Sequence, residues 1–64
     1  MRLWIARDKD GSLILYDNAP DKRSEYFLPY VGYNDMPLDD RMFPEVTFEN
    51  SPQEVELKLI IVTK

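Results

Sequence analysis

Two short apolar runs open the chain, Leu3-Trp4-Ile5-Ala6 and Leu13-Ile14-Leu15-Tyr16, on either side of the polar stretch Asp8-Lys9-Asp10-Gly11-Ser12. Runs of this length, rich in β-branched and aromatic residues and separated by turn formers, predict an antiparallel hairpin. Aspartates at the first and third turn positions and glycine at the fourth suit a type I turn followed by a left-handed residue, the three-residue loop with a G1 bulge. Gly11 fits there because no Cβ opposes a positive φ. The loop sets a register in which Asp8 faces Ser12, Arg7 faces Leu13, Ala6 faces Ile14, Ile5 faces Leu15 and Trp4 faces Tyr16. Leu3, Ile5, Leu13 and Leu15 then form an aliphatic face, and Trp4, Ala6, Ile14 and Tyr16 an aromatic one. A sheet with one wetted side would alternate apolar and polar. Here both faces are apolar, so either later segments cover both or one is left for a partner.

Residues 17–24 are polar, contain Pro20 and read as a loop. Glu25-Tyr26-Phe27-Leu28 predicts a third strand, stopped by Pro29, which has no N–H for a ladder. From Tyr30 to Pro37 the pattern is irregular, with Gly32, Asn34 and Pro37 among Tyr30, Tyr33 and Met36. Residues 38–43 suit a single helical turn closed by Pro44, and Glu45-Val46-Thr47-Phe48-Glu49 a short strand. Two readings compete over residues 52–62. Ser51-Pro52-Gln53-Glu54 matches a helix capping box with proline at the first helical position. Val55, Leu57 and Leu59 alternate with Glu54, Glu56 and Lys58, however, and Ile60-Ile61-Val62 is a β-branched run, which favours a strand. The expected fold is mostly β: one domain over residues 1–64, a small antiparallel sheet of three to five strands opened by the hairpin at 2–17, and at most one short helical turn.

Sixty-four residues bury only a thin core, and the chain has no cysteine to reinforce it with a disulfide or to bind zinc through thiolates. The net charge of −4 is uneven. In residues 1–32 five basic and five acidic side chains cancel, whereas residues 33–64 set Arg41, Lys58 and Lys64 against seven carboxylates. Such a surface repels phosphate backbones, so nucleic-acid binding is not expected, and a solvated, solubilising face accounts for the acidity. The longest apolar run, Leu59-Ile60-Ile61-Val62, is far short of the roughly 20 residues that cross a bilayer. Charge returns at Arg7 before a signal-peptide apolar stretch develops, and the expected location is cytoplasmic with no membrane partner.

The candidate chemistry is sparse. Asp8-Lys9-Asp10-Gly11 resembles the middle of an EF-hand loop, but Ala6 stands where the first acidic ligand belongs and Asp17 where a bidentate glutamate belongs. The turn alone explains these residues, and no metal or cofactor is expected. Without histidine or cysteine the commonest general base and the strongest nucleophile are missing. Asp39, Asp40, Glu45 and Glu49 would need a pocket that separates their pKa values, which so short a chain hardly builds, so an enzyme is not expected. The aromatics are more informative, because interfaces favour Tyr, Trp and Met. Trp4 and Tyr16 suit either core or interface, with core favoured. Tyr30, Tyr33 and Met36, in a proline-punctuated loop, are expected partner contacts.

Three stretches resemble a known pattern: residues 3–11 with Leu13 and Tyr16, the string Phe43-Pro44-Glu45-Val46-Thr47-Phe48-Glu49-Asn50-Ser51-Pro52, and Val55-Glu56-Leu57-Lys58-Leu59-Ile60. Together they are similar to a group of short uncharacterised proteins of gut Bacteroidetes and their phages or mobile elements. The resemblance leaves out residues 29–42, implies a bacterial or phage cytoplasm, and names no site. The leading expectation is a small non-catalytic accessory module that docks on another protein through Trp4, Tyr16, Tyr30, Tyr33 and Met36. The alternatives are a structural homo-oligomer that buries its second apolar sheet face against itself, and an acidic inhibitor of a nucleic-acid-binding protein.

Overall fold

The computed structural model describes residues 2–56. Six strands follow in chain order: β1 (Arg2–Arg7), β2 (Leu13–Tyr16), β3 (Asp21–Lys22), β4 (Phe27–Leu28), β5 (Asp35–Leu38) and β6 (Gln53–Glu56). β5, β2, β1 and β6 form a four-stranded sheet in that order, and β3 and β4 form a separate two-stranded ribbon. All pairings are antiparallel, and no helix occurs among the described residues. The fold is the expected small antiparallel β domain.

The opening hairpin has the register anticipated from its loop, with Trp4 opposite Tyr16, Ile5 opposite Leu15, Ala6 opposite Ile14 and Arg7 opposite Leu13. Gly11 has φ 97° and donates its N–H to the Asp8 carbonyl at 3.0 Å, and Asp8 N–H reaches the Ser12 carbonyl at 2.9 Å. The Asp10 carboxylate accepts the Ser12 N–H at 2.9 Å, which holds its pKa below the usual value. Later segments reach both faces of the hairpin. On the aliphatic side Ile5 and Leu13 pack with Val46, joined by Leu15, Leu38 and Val55. On the aromatic side Ala6 and Tyr16 pack with Phe27, joined by Trp4, Ile14 and Phe48.

The later elements depart from the sequence reading in four places. The third strand is only Phe27–Leu28, and its partner is Asp21–Lys22 from the expected loop, because Arg23 N–H bonds the Tyr26 carbonyl at 2.8 Å and closes a second tight hairpin. Asp35–Leu38, expected as irregular, is β5. Pro37 is tolerated because, among the described residues, β5 lies at the sheet edge with β2 on one side only. Residues 39–42 make a β-turn rather than a helical turn, with Met42 N–H on the Asp39 carbonyl at 3.0 Å and Asp39 Oδ1 accepting Arg41 N–H at 2.9 Å. Residues 45–49 are turn rather than strand. Thr47 and Asn50 exchange side-chain-to-backbone bonds at 2.7 and 3.1 Å, and Asn50 Nδ2 donates to the Glu45 carbonyl at 2.9 Å. Such local bonds compete with a strand ladder.

At the C-terminal side the strand reading holds over Gln53–Glu56, paired with β1 from Arg2–Glu56 to Ile5–Gln53, and the capping box forms no helix. The remainder of that expectation, residues 57–62, lies outside the described residues. Pro52, joined to Ser51 by a cis peptide bond, precedes β6, and the Ser51 hydroxyl takes the next β1 donor, Arg7 N–H, at 3.0 Å.

The second hairpin is fastened over the aromatic face by polar groups as well as by Phe27. Asp8 Oδ1 accepts Phe27 N–H at 2.9 Å, and Lys9 N–H reaches the Glu25 carbonyl at 2.9 Å. Burial raises the Asp8 pKa, partly offset by the Phe27 N–H. Lys22 Nζ sits 4.5 Å from the centre of the Phe48 ring and donates to the Phe48 carbonyl at 3.0 Å, while the Phe27 and Phe48 rings meet at 5.5 Å and 59°.

Tyr16 is only 1 % exposed, and its pKa is pushed up to about 12 by burial, then by the charges of Asp8 and Asp35. A tyrosine whose pKa rises from about 10 on folding stabilises the protein fully below pH ~10, and that contribution is lost as pH climbs towards the folded value. Alkaline unfolding should therefore begin between about pH 10 and 12. A tyrosinate absorbance titration should show a late component that Tyr16→Phe removes, together with the alkaline slope in stability.

Candidate apolar docking groove

Among the described residues the aliphatic face is only partly covered. Leu3, Ile5, Leu15, Leu38 and Val55 floor an open groove of about 450 Å³ whose lip is formed by Met42 and Phe43, with Glu56 at one end. This is within the size range of ligand pockets, and its lining is almost wholly apolar. The sheet supplies the floor through parity: Leu3 faces Val55 across β1 and β6, and Leu13 faces Leu38 across β2 and β5. A shallower hollow of about 110 Å³ adjoins it at Leu3 and Leu15 and reaches Met36, which stands opposite Leu15.

Arg7 holds the lip in place. Its side chain donates Nε–H to the Val46 carbonyl at 2.6 Å, Nη1–H to the carbonyls of Gly11 at 2.7 Å and Asp40 at 3.0 Å, and Nη2–H to those of Met42 at 2.9 Å and Phe43 at 3.1 Å. Five donors meet five backbone carbonyls. The Asp40 carboxylate also accepts Leu13 N–H at 3.3 Å, so the 40–46 loop is tied to both strands of the first hairpin.

Within that loop Phe43 has φ 49°, a left-handed conformation that costs a bulky side chain roughly 1–2 kcal/mol. Met42 and Phe43 are nevertheless each 43 % exposed. Beside them Arg41 and Asp39 form a surface ion pair at 2.8 Å, and the Arg41 guanidinium holds the Asp39 carboxyl below its usual pKa.

The residues expected as contacts are divided by the fold. Tyr30 and Tyr33 are exposed, with rings 6.3 Å apart on a tight turn closed by Tyr33 N–H on the Tyr30 carbonyl at 3.0 Å. Gly32 supplies φ 89° at the third position of that turn, and Val31 at its tip is 90 % exposed. Met36, 52 % exposed, lies on the aliphatic face beside the groove. Trp4 is half-buried on the opposite, aromatic face. Tyr16 is a correction to the contact set: it is core, and its hydroxyl donates to the Phe27 carbonyl at 3.4 Å. The structure therefore does not assemble the five into one surface.

Sequence reasoning misses Met42 and Phe43 because residues 38–43 read as a helical turn. Pro44 is the available signal, since a residue before proline avoids the helical region. Among the described residues no group of three or more His, Cys, Asp or Glu side chains is placed to hold a metal ion, and no helix is long and apolar enough to cross a membrane. No protein-family model matches the chain, and no match to it is found among curated proteins or among solved structures.

Arg7→Lys leaves carbonyls without a donor, because an ammonium has three N–H groups and no planar fork. It should lower stability by roughly 2–4 kcal/mol in denaturant unfolding and speed hydrogen exchange at Val46 N–H, which bonds the Phe43 carbonyl.

Proposed function

We propose that this protein is a non-catalytic binding module that docks on another protein through the groove between the aliphatic sheet face and the Met42–Phe43 lip. The observation that carries this reading is Phe43. A bulky aromatic is held at positive φ by two bonds from Arg7 to its own and the preceding carbonyl, yet its side chain stays exposed above an apolar groove. Strain of this kind persists only where its surroundings over-determine it, and it clusters at ligand clamps and switch regions. The groove supplies an apolar seat and the methionine an adaptable contact. Tyr30, Val31, Tyr33 and Met36 extend the exposed apolar surface and would enlarge the contact area.

Phe43→Gly separates display from stability. Relief of the left-handed strain should offset the lost ring contacts, leaving the unfolding free energy within about 1 kcal/mol of wild type. The tagged wild-type protein, incubated with a lysate of gut Bacteroidetes as the resemblance suggests, should retain a stoichiometric protein partner at high salt that the Phe43→Gly variant releases. Recovery of the bait alone, or of the same partner by both forms, would refute the groove as the docking site.

A further inference from the structure

The two-stranded ribbon stands apart from the rest of the fold. Among the described residues no ladder joins β3 or β4 to the four-stranded sheet. Pro20, which is buried, and Pro29, which is half-buried, bracket the ribbon, and neither has an N–H to carry its ladder onward. The ribbon's ladder bonds are its own: Asp21 pairs with Leu28, Lys22 pairs with Phe27, and Arg23 N–H closes the turn on the Tyr26 carbonyl. From Asp21 to Leu28 every residue is exposed except Phe27, which is buried. A hairpin with two-residue strands has little stability of its own, so its position depends on what fastens it.

The fastenings are few. Phe27 N–H meets Asp8 Oδ1 and Lys9 N–H meets the Glu25 carbonyl, both at 2.9 Å. Lys22 Nζ donates to the Phe48 carbonyl at 3.0 Å and lies 4.5 Å from the centre of its ring. The Phe27 side chain packs into the aromatic cluster with Ala6 and Tyr16, and the Tyr16 hydroxyl reaches the Phe27 carbonyl at 3.4 Å. None of these contacts belongs to the ladders of the four-stranded sheet. We propose that residues 21–28 are a flap that swings off the aromatic face as one unit, uncovering Ala6 and Tyr16 while the four-stranded sheet stays folded. Withdrawal of one buried side chain, Phe27, suffices to release it, because the rest of the flap is already exposed. The open form keeps the aliphatic cluster of Ile5, Leu13 and Val46 on the far side of the sheet. Openings below the global one are drawn from segments with few apolar contacts and exposed backbone bonds. This inference is independent of what the groove on the opposite face binds.

The test is native-state hydrogen exchange of the full chain, followed amide by amide by NMR. Lys9 and Phe27 N–H, which lose their partners when the flap opens, should exchange together and be at least about a hundredfold less protected than Trp4 and Leu15. Trp4 and Leu15 are paired on both sides within the sheet. Asp8 N–H, bonded to the Ser12 carbonyl at the base of the first loop, should stay better protected than Lys9. Two variants separate the flap from the whole. Ile5→Val weakens the aliphatic cluster in the closed and open forms alike, so it should speed exchange at Trp4 and Leu15 roughly three- to tenfold and leave Lys9 and Phe27 unchanged. Lys22→Ala removes the bond and the cation over Phe48, so it should speed Lys9 and Phe27 about tenfold. Lys9 and Phe27 protected as well as Trp4 and Leu15, equal acceleration of all four by Ile5→Val, or no response of Lys9 and Phe27 to Lys22→Ala would each overturn the proposal. So would Asp8 N–H exchanging as fast as Lys9, which would trace the exchange to fraying of the first loop.

Discussion

A guanidinium presents five N–H groups in one plane, and around Arg7 five backbone carbonyls from Gly11, Asp40, Met42, Phe43 and Val46 are gathered to meet them. The charge is stabilised by these peptide dipoles, each bond gaining from the charge on the donor. The consequence reaches beyond the loop. A strand whose last residue is an arginine becomes the anchor for a segment more than thirty positions away, and that segment carries Val46 into the core beside Ile5 and Leu13. The same residue's N–H is taken by Ser51, whose hydroxyl in turn donates to the Thr47 carbonyl. One residue at the end of β1 thus fixes both ends of the 40–51 segment.

That segment solves the problem set by a hairpin with two apolar faces. Val46 belongs to the aliphatic cluster and Phe48 to the aromatic one, on opposite sides of the sheet. Residues two apart in a strand point to the same side. The chain must therefore turn around the end of β1 between them, and Thr47, Asn50 and Ser51 supply the bonds that a turning backbone cannot find in a ladder. The string that runs from Phe43 to Pro52 is in this sense a structural clasp. Its polar residues satisfy backbone groups and its apolar residues Val46 and Phe48 plug two cores, which explains its composition.

The same geometry shows where sequence reasoning reaches and where it stops. The first hairpin is legible to the residue because Gly11 and the flanking aspartates define a loop whose length dictates the register. The alternation at Gln53–Glu56 is legible for a similar reason, parity being a property of the strand itself. Val46 and Phe48 mislead because alternation in sequence reads as alternation about a sheet, when each side chain answers to a different core. β5 is hidden by Pro37, whose missing donor is harmless only at an edge, and an edge is a tertiary fact. Of the site, Met36 is legible as exposed, whereas Met42 and Phe43 depend on a fork of bonds from Arg7 that no local pattern announces.

The strain at Phe43 follows from the same anchoring. A left-handed phenylalanine would relax in an isolated peptide, since the cost is roughly that of one or two ordinary hydrogen bonds. Here the carbonyls on both sides of its N–Cα bond, those of Met42 and Phe43, are held by one Nη2 group, and the following Val46 N–H closes on the Phe43 carbonyl at 2.9 Å. Rotation to a negative φ would break this set together rather than one bond at a time. The Cα–Cβ bond is consequently fixed in direction although the ring remains exposed, which reduces the freedom the residue has left to lose on being covered. A glycine at this position would satisfy the backbone equally well. Phenylalanine instead adds an exposed apolar ring above the groove.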